Sequence, residues 1–163
     1  MKLYLVRHGH AEEASVDPQR PLSARGEEEV RRLGRRLKER ALAGSGAPPA
    51  VFHSDKLRAR QTAALLVETL FPTSGATERW GLGPNDDAAA WLPELAAAEE
   101  DVMLVGHLPF LANLAGLLLR QGAAASEGMA AAEIEFPAAG VVCLERRGRR
   151  WELAWNAAPA GTA

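Results

Sequence analysis

An α/β fold, with helices against a mostly parallel mixed sheet, follows from two features of the sequence. From the first residue to Gly122, short apolar runs alternate with amphipathic stretches, the pattern of strand–helix–strand units. Beyond that point the pattern changes to strand-like runs separated by Gly and Pro, which adds antiparallel pairs at one side of the sheet. Of the 163 residues 47% are hydrophobic and 25% charged, enough to bury a core without metal or disulfide staples. A single domain over residues 1–163 is expected.

The elements follow in order. Residues 2–6, KLYLV, are a short continuous apolar run and predict a buried strand. In PLSARGEEEVRRLGRRLKERAL, Ser23 is placed to cap a helix, and Glu27 and Glu28 stand near its positive end. Val30, Leu33, Leu37 and Ala41 recur on one helical face, and the glycines and prolines of residues 44–49 stop the helix. Residues 50–54, AVFHS, predict a second strand. A second helix over 57–71 then presents Ala59, Ala63, Leu66, Val67 and Leu70 on one side.

A short third strand is expected at 77–80, followed by the loop GLGPNDD, in which Asp86 or Asp87 caps a helix bearing Trp91, Leu92 and Leu95. Residues 102–106, VMLVG, read as a strand, and Pro109 suits the first turn of the apolar helix behind it. The Ala- and Gly-rich stretch 122–132 reads as a loop. Residues 130–136, GVVCLERRG and RRWELAWN then supply two or three antiparallel strands. Trp151 and Trp155 have the spacing of one strand face, and Arg146, Arg147, Arg149 and Arg150 form a basic hairpin tip expected to be solvated.

The formal net charge of -2 and pI of 6.1 give no long-range attraction to nucleic acid or to an anionic membrane. The greasiest stretch, LPFLANLAGLLL, falls short of the roughly 20 residues needed to cross a bilayer. The run ahead of Arg7 is too short for an export signal, and Cys143 is the only cysteine, so a reducing cytoplasm is the expected setting.

In open α/β sheets, ligands bind outside the carboxyl ends of the parallel strands. Three such ends carry suggestive groups: Arg7, His8 and Gly9 after the first strand, Ser54 and Arg58 after the second, and Gly106 and His107 after the fourth. Arginine presents a planar fork suited to phosphate oxygens. Imidazole can attack phosphorus and hold the phosphoryl group until water removes it. Gly9 would let the backbone approach a ligand, and the helix start after His107 would add free amides. Taken singly, each is more often a solvated loop residue. A zinc site is the rival reading, but it needs three or four ligands and is opposed by two neighbouring arginines.

These residues also carry a resemblance. LVRHGHAE resembles the RHG signature of the histidine phosphatase superfamily, also called phosphoglycerate-mutase-like. SDKLRARQTA at 54–63 and VGHLP at 105–109 are similar to its second and third motifs, and RPLSARG at 20–26 to the segment that follows RHG. The short chain and WNAAP at 155–159 resemble the SixA branch, whose members act as protein phosphohistidine phosphatases. The resemblance implies that His8 is the nucleophile, that Arg7, Arg58 and His107 bind and neutralise the phosphoryl group, and that the Leu108 amide points into the same pocket. Gly9 and Arg20 join the substrate-site candidates from their positions in the sequence. The resemblance implies no cofactor and no metal. The partner it implies is a phosphorylated protein, such as a histidine-phosphorylated signalling or phosphotransfer domain.

Other positions stay open. His10 is expected at the rim or in solvent, and His53 as a hydrogen-bonded core residue. Arg20 either lends charge to the entrance or forms a surface salt bridge. Enzymes of the superfamily that cleave phosphomonoesters usually place an acid after the third strand. Gly81 and Gly83 stand there instead, leaving Asp86, Asp87, Glu12 and Asp17 as stand-ins. The readings carried forward are a phosphohistidine phosphatase, a general or small-molecule phosphomonoesterase, and a non-catalytic phosphate-binding regulator.

Overall fold

The computed structural model describes residues 1–40, 47–122 and 134–159. Alternating burial organises it. Along β1 (Lys2–Arg7), Tyr4 and Val6 face one core while Leu3 and Leu5 face another, because successive strand side chains point to opposite sides. The first core is closed by α1 (Ala24–Glu39) and α2 (Leu57–Leu70), through Val30, Leu33, Leu37, Ala63 and Leu66. The second is closed by α3 (Leu92–Ala97) and α4 (Phe110–Gly122), through Leu95, Phe110, Leu111 and Leu114. Each fully buried leucine among these contributes roughly 1.5–3 kcal/mol of transfer free energy.

Six strands form one sheet, in the order β3-β2-β4-β1-β5-β6. β2 (Ala50–His53), β3 (Ala76–Glu78) and β4 (Val102–Gly106) run parallel with β1, whereas β5 (Val141–Arg147) pairs antiparallel with β1 and β6 (Arg150–Ala157) antiparallel with β5. The mixed sheet with helices on both faces is the expected class. Ser23 caps α1 as expected, its hydroxyl accepting from the Gly26 amide at 3.1 Å. Gly26 is needed there for close approach, since a Cβ would stand 1.9 Å from the His10 carbonyl oxygen. The WNAAP segment ties back to α1: Arg36 donates to the Ala158 carbonyl, and the Arg40 guanidinium lies over Trp155.

Several expectations need correction. β3 ends at Glu78, because the chain turns once the Arg79 amide has reached the His53 carbonyl at 2.9 Å. β2 and α2 each end one residue early, at His53 and Leu70. Asp87 caps a 3-10 turn (Ala88–Trp91), which then leads into α3. Pro109 follows a cis peptide bond and precedes α4 instead of lying in its first turn. The tail contributes two strands among the described residues. Residues 134–136 do not join the sheet, since Ile134 and Phe136 are sunk in the second core and both sides of β1 are already paired.

Trp151 and Trp155 do not share a face. A register shift opposite Cys143 and Leu144 inserts Ala154 as an extra residue, sending Trp151 to the second core and Trp155 to the first. Arg146 is not a solvated tip either: its guanidinium donates to the carbonyls of Leu95, Ala96 and Ala98 at the end of α3. Ala41, the helix-stopping segment up to residue 46, and residues 123–133 lie outside the described residues.

Candidate active site

Strands β1, β2 and β4 end level with one another. Arg7 pairs with Gly106 in register, the His8 amide donates to the Gly106 carbonyl at 3.1 Å, and the Ser54 amide donates to Val105 at 3.2 Å. The chain on the other side holds the same segment: Arg7 N–H bonds to Gly140, and Ala139 N–H to His8, at 3.0 and 3.1 Å. The backbone under His8 is therefore fixed from both flanks. The sequence-predicted group meets here.

His8 donates from Nδ1 to the carbonyl of Gly9 at 2.7 Å, and Nε2 accepts from Arg58 Nε at 3.3 Å. This assigns the ring proton to Nδ1 and leaves a lone pair on Nε2. Burial, followed by the charges of Arg58, Arg7 and Arg20, pushes the imidazole down to about 4, against the opposing bond to Gly9. An imidazole at neutral pH is thus unprotonated at the nitrogen that faces Arg58. In a 15N titration His8 should remain neutral, with a bare Nε2, down to about pH 5, a unit above its shifted value. Protonation near its ordinary value of about 6.5 would remove this assignment.

His107 packs against His8 with ring centroids 5.0 Å apart. Its Nε2 meets the Ser54 hydroxyl at 2.6 Å, and that hydroxyl oxygen already accepts from the Lys56 amide at 3.3 Å. That hydroxyl keeps a proton and a second lone pair, so it pairs with Nε2 in either tautomer of neutral His107. Burial, with His8, Arg58 and Lys56 nearby, pushes His107 down to about 3. Nδ1 is buried and has no hydrogen-bond partner among the described residues. A buried ring nitrogen without a partner is costly. The neutral pair of histidines leaves the positive charge of the site to its arginines.

Arg7 is steadied by a bond from its guanidinium to the Phe136 carbonyl at 2.8 Å. Arg20 sits in the left-handed region, at φ 48°, and its Nε donates to the Glu12 carbonyl at 3.1 Å. Its charge acts on both His8 and Arg58, so it contributes to the positive field of the site. Leu108 is half-buried between His107 and α4. The motif around Arg58 also has a structural role: Thr62 accepts from the Gly9 amide, and Gln61 accepts from the Leu22 amide. Ser54, Thr62 and Gln61 were visible within the second motif, but only the folded chain connects them to His107, Gly9 and Leu22.

The expectation that Gly9 leaves room for a ligand is corrected. A Cβ there would meet the Gly26 carbonyl at 2.8 Å and Val30 at 2.9 Å, so α1 fills the space. His10 is exposed and bonded to the Ser23 hydroxyl, and His53 is buried with Nδ1 donating to the Ser54 carbonyl. Asp86 accepts from the Gly83 amide and Asp87 from the Ala89 amide, so both carboxylates close local turns. Asp17 likewise accepts from the Gln19 amide. Among the described residues, no group of three or more His, Cys, Asp and Glu side chains is arranged to hold a metal ion. No helix among them is long and apolar enough to cross a membrane.

Residues 3–80 match the model of the histidine phosphatase superfamily, branch 1. An uncharacterized protein of Picosynechococcus sp. is 35% identical over 123 residues, 71% of each chain. The chain belongs to the histidine phosphatase superfamily. The fold matches that of the protein histidine phosphatase SixA solved with tungstate, at a TM-score of 0.78 and 24% identity over 100% of both chains. It also matches an Agrobacterium tumefaciens structure provisionally named phosphohistidine phosphatase SixA, at 0.76 and 25% over 98% of each. The fold is shared more widely. Phosphoserine phosphatase of Entamoeba histolytica matches at a TM-score of 0.69 and 14% identity, over 95% of each chain. Fold alone therefore does not select a substrate within this superfamily of phosphatases.

Proposed function

We propose that this protein is a cofactor-independent phosphohistidine phosphatase that dephosphorylates a histidine-phosphorylated protein through a covalent intermediate on His8. The observation that carries the reading is the bare Nε2 of His8, set beside Arg58 and within the field of Arg7 and Arg20. The phosphoryl group enters between Nε2 and the Arg58 guanidinium, which exchanges a long 3.3 Å contact for phosphoryl oxygens. Nε2 attacks phosphorus, the phosphorus–nitrogen bond to the substrate breaks, and the substrate imidazole leaves with a proton. Water then attacks the phosphorylated His8, releasing inorganic phosphate and restoring the free imidazole. Arg7 and Arg58 offset the charge on the transferred oxygens, as a divalent ion does in many other phosphatases. Nδ1 of His107, unpartnered and buried, carries the proton in this reading and donates it to an arriving phosphoryl oxygen.

The substrate class is inferred from the leaving group. Asp86 and Asp87 are engaged in local turns, and a general acid is typically worth about 10²–10⁴-fold for an alkoxide leaving group. Protonated imidazole departs without such help. Phosphate release from a phosphohistidine protein should therefore exceed that from a phosphoserine peptide at the same pH, judged by kcat/KM. The reverse order would replace this reading with a general phosphomonoesterase. Binding of both without release would leave a phosphate-binding regulator.

A further inference from the structure

Two large hydrophobic side chains are strongly exposed among the described residues, Trp80 at 85% and Val16 at 71%. Both lie on loops that leave the sheet at the rim bearing His8. Trp80 is two residues beyond β3, whose neighbour β2 delivers Ser54. Val16 lies in the segment between β1 and α1, four residues ahead of Arg20.

The backbone around Trp80 is held firmly. Before it, the Arg79 amide bonds to the His53 carbonyl, and the Arg79 guanidinium pairs with both carboxylate oxygens of Glu94 while lying over Phe52 and Trp91. After it, the Gly81 carbonyl accepts from Trp91 Nε1 at 2.7 Å. The anchored neighbours present the indole at the surface, in place for a partner to cover it.

We propose that Trp80, with Val16 on the loop after β1, is the docking anchor for the protein that carries the phosphohistidine, contacting apolar surface beside the phosphorylated residue. This rests on the phosphohistidine-protein reading and adds a recognition surface to it. β3 is two strands from β4, a lateral distance of about 10 Å at strand spacing. A phosphorylated small molecule seated against His8 and His107 would not span that distance, whereas a folded partner would. The same rim carries Arg20, Lys56 and Arg58, so the partner presents its phosphoryl charge to these cations and apolar side chains to Trp80 and Val16. Tryptophan and arginine are the residue types in which protein interfaces most often concentrate their affinity.

The test compares paired substrates, a histidine-phosphorylated phosphotransfer domain and free phosphohistidine, on wild type, Trp80→Ala, Trp80→Phe and Val16→Ser. Trp80→Ala should lower kcat/KM for the protein substrate about 30-fold, the loss typical of a tryptophan hot spot, and mainly through KM. Free phosphohistidine should be hydrolysed within about twofold of wild type, since surface changes away from a site perturb it little. Trp80→Phe should recover most of the loss, and Val16→Ser should give a smaller loss of the same selective kind. Equal effects on both substrates, including no effect on either, would overturn the docking proposal alone. A wild-type dimer in sedimentation velocity that Trp80→Ala converts to monomer would assign the indole to a second copy of this chain and overturn it as well. Wild-type protein inert on both substrates would remove the phosphohistidine reading and, with it, this inference.

Discussion

His8→Ala should lose activity by about 10⁴-fold or more, the scale seen when a covalent hydrolase loses its nucleophile. The side chain makes two polar contacts, to the Gly9 carbonyl and Arg58, while its backbone is held independently by Gly106 and Ala139. The fold should therefore survive the change, with an unaltered circular dichroism spectrum. Brief exposure of wild type to labelled substrate, followed by a denaturing quench that avoids acid, should leave label on His8. The His8→Ala chain should retain none. Because Nδ1 is committed to Gly9, the label should reside on Nε2. Substantial turnover by the variant, or label on another residue, would end the covalent assignment.

The parts of this site that could be read from sequence are those set by strand ends. Arg7, His8, Ser54, Arg58 and His107 sit where three apolar runs give way to polar residues, and a parallel sheet brings such ends to one rim whatever the loops do. The apolar faces of α1 and α2 were equally legible, because helical periodicity selects buried residues locally. What escaped depends on contacts distant in sequence. The role of Gly9 is set by Gly26 and Val30 on another element, and the hydrogen bonding of His107 by Ser54. The separation of Trp151 from Trp155 depends on one inserted residue, which reverses the facing of a strand without disturbing its composition. The four arginines near the β5–β6 turn looked alike in sequence. Only Arg146 comes to lie against the last carbonyls of α3.

Arg58→Ala should keep the fold and lower kcat by roughly 100-fold to 1000-fold, since removing one preorganised donor at developing charge typically costs about 2.7–4 kcal/mol. Two separable effects combine in that loss. The forked guanidinium no longer meets the phosphoryl oxygens, and a positive charge that helps hold His8 at about 4 is gone. The sign of the second effect is definite. With less opposing charge His8 binds its proton more readily, so its titration should move upward, toward 6.5, and the nucleophile should be lost at higher pH than in wild type. Arg58→Lys separates the two. A lysine ammonium retains the charge, so His8 should stay close to its wild-type titration, but a point charge lacks the fork that matches phosphoryl oxygens. Its kcat should still fall well below wild type. An alanine variant within a few-fold of wild type in kcat would show that this guanidinium does not reach the transferred group. A lysine variant with full turnover would show that charge near His8, and not the geometry of the fork, is what Arg58 supplies.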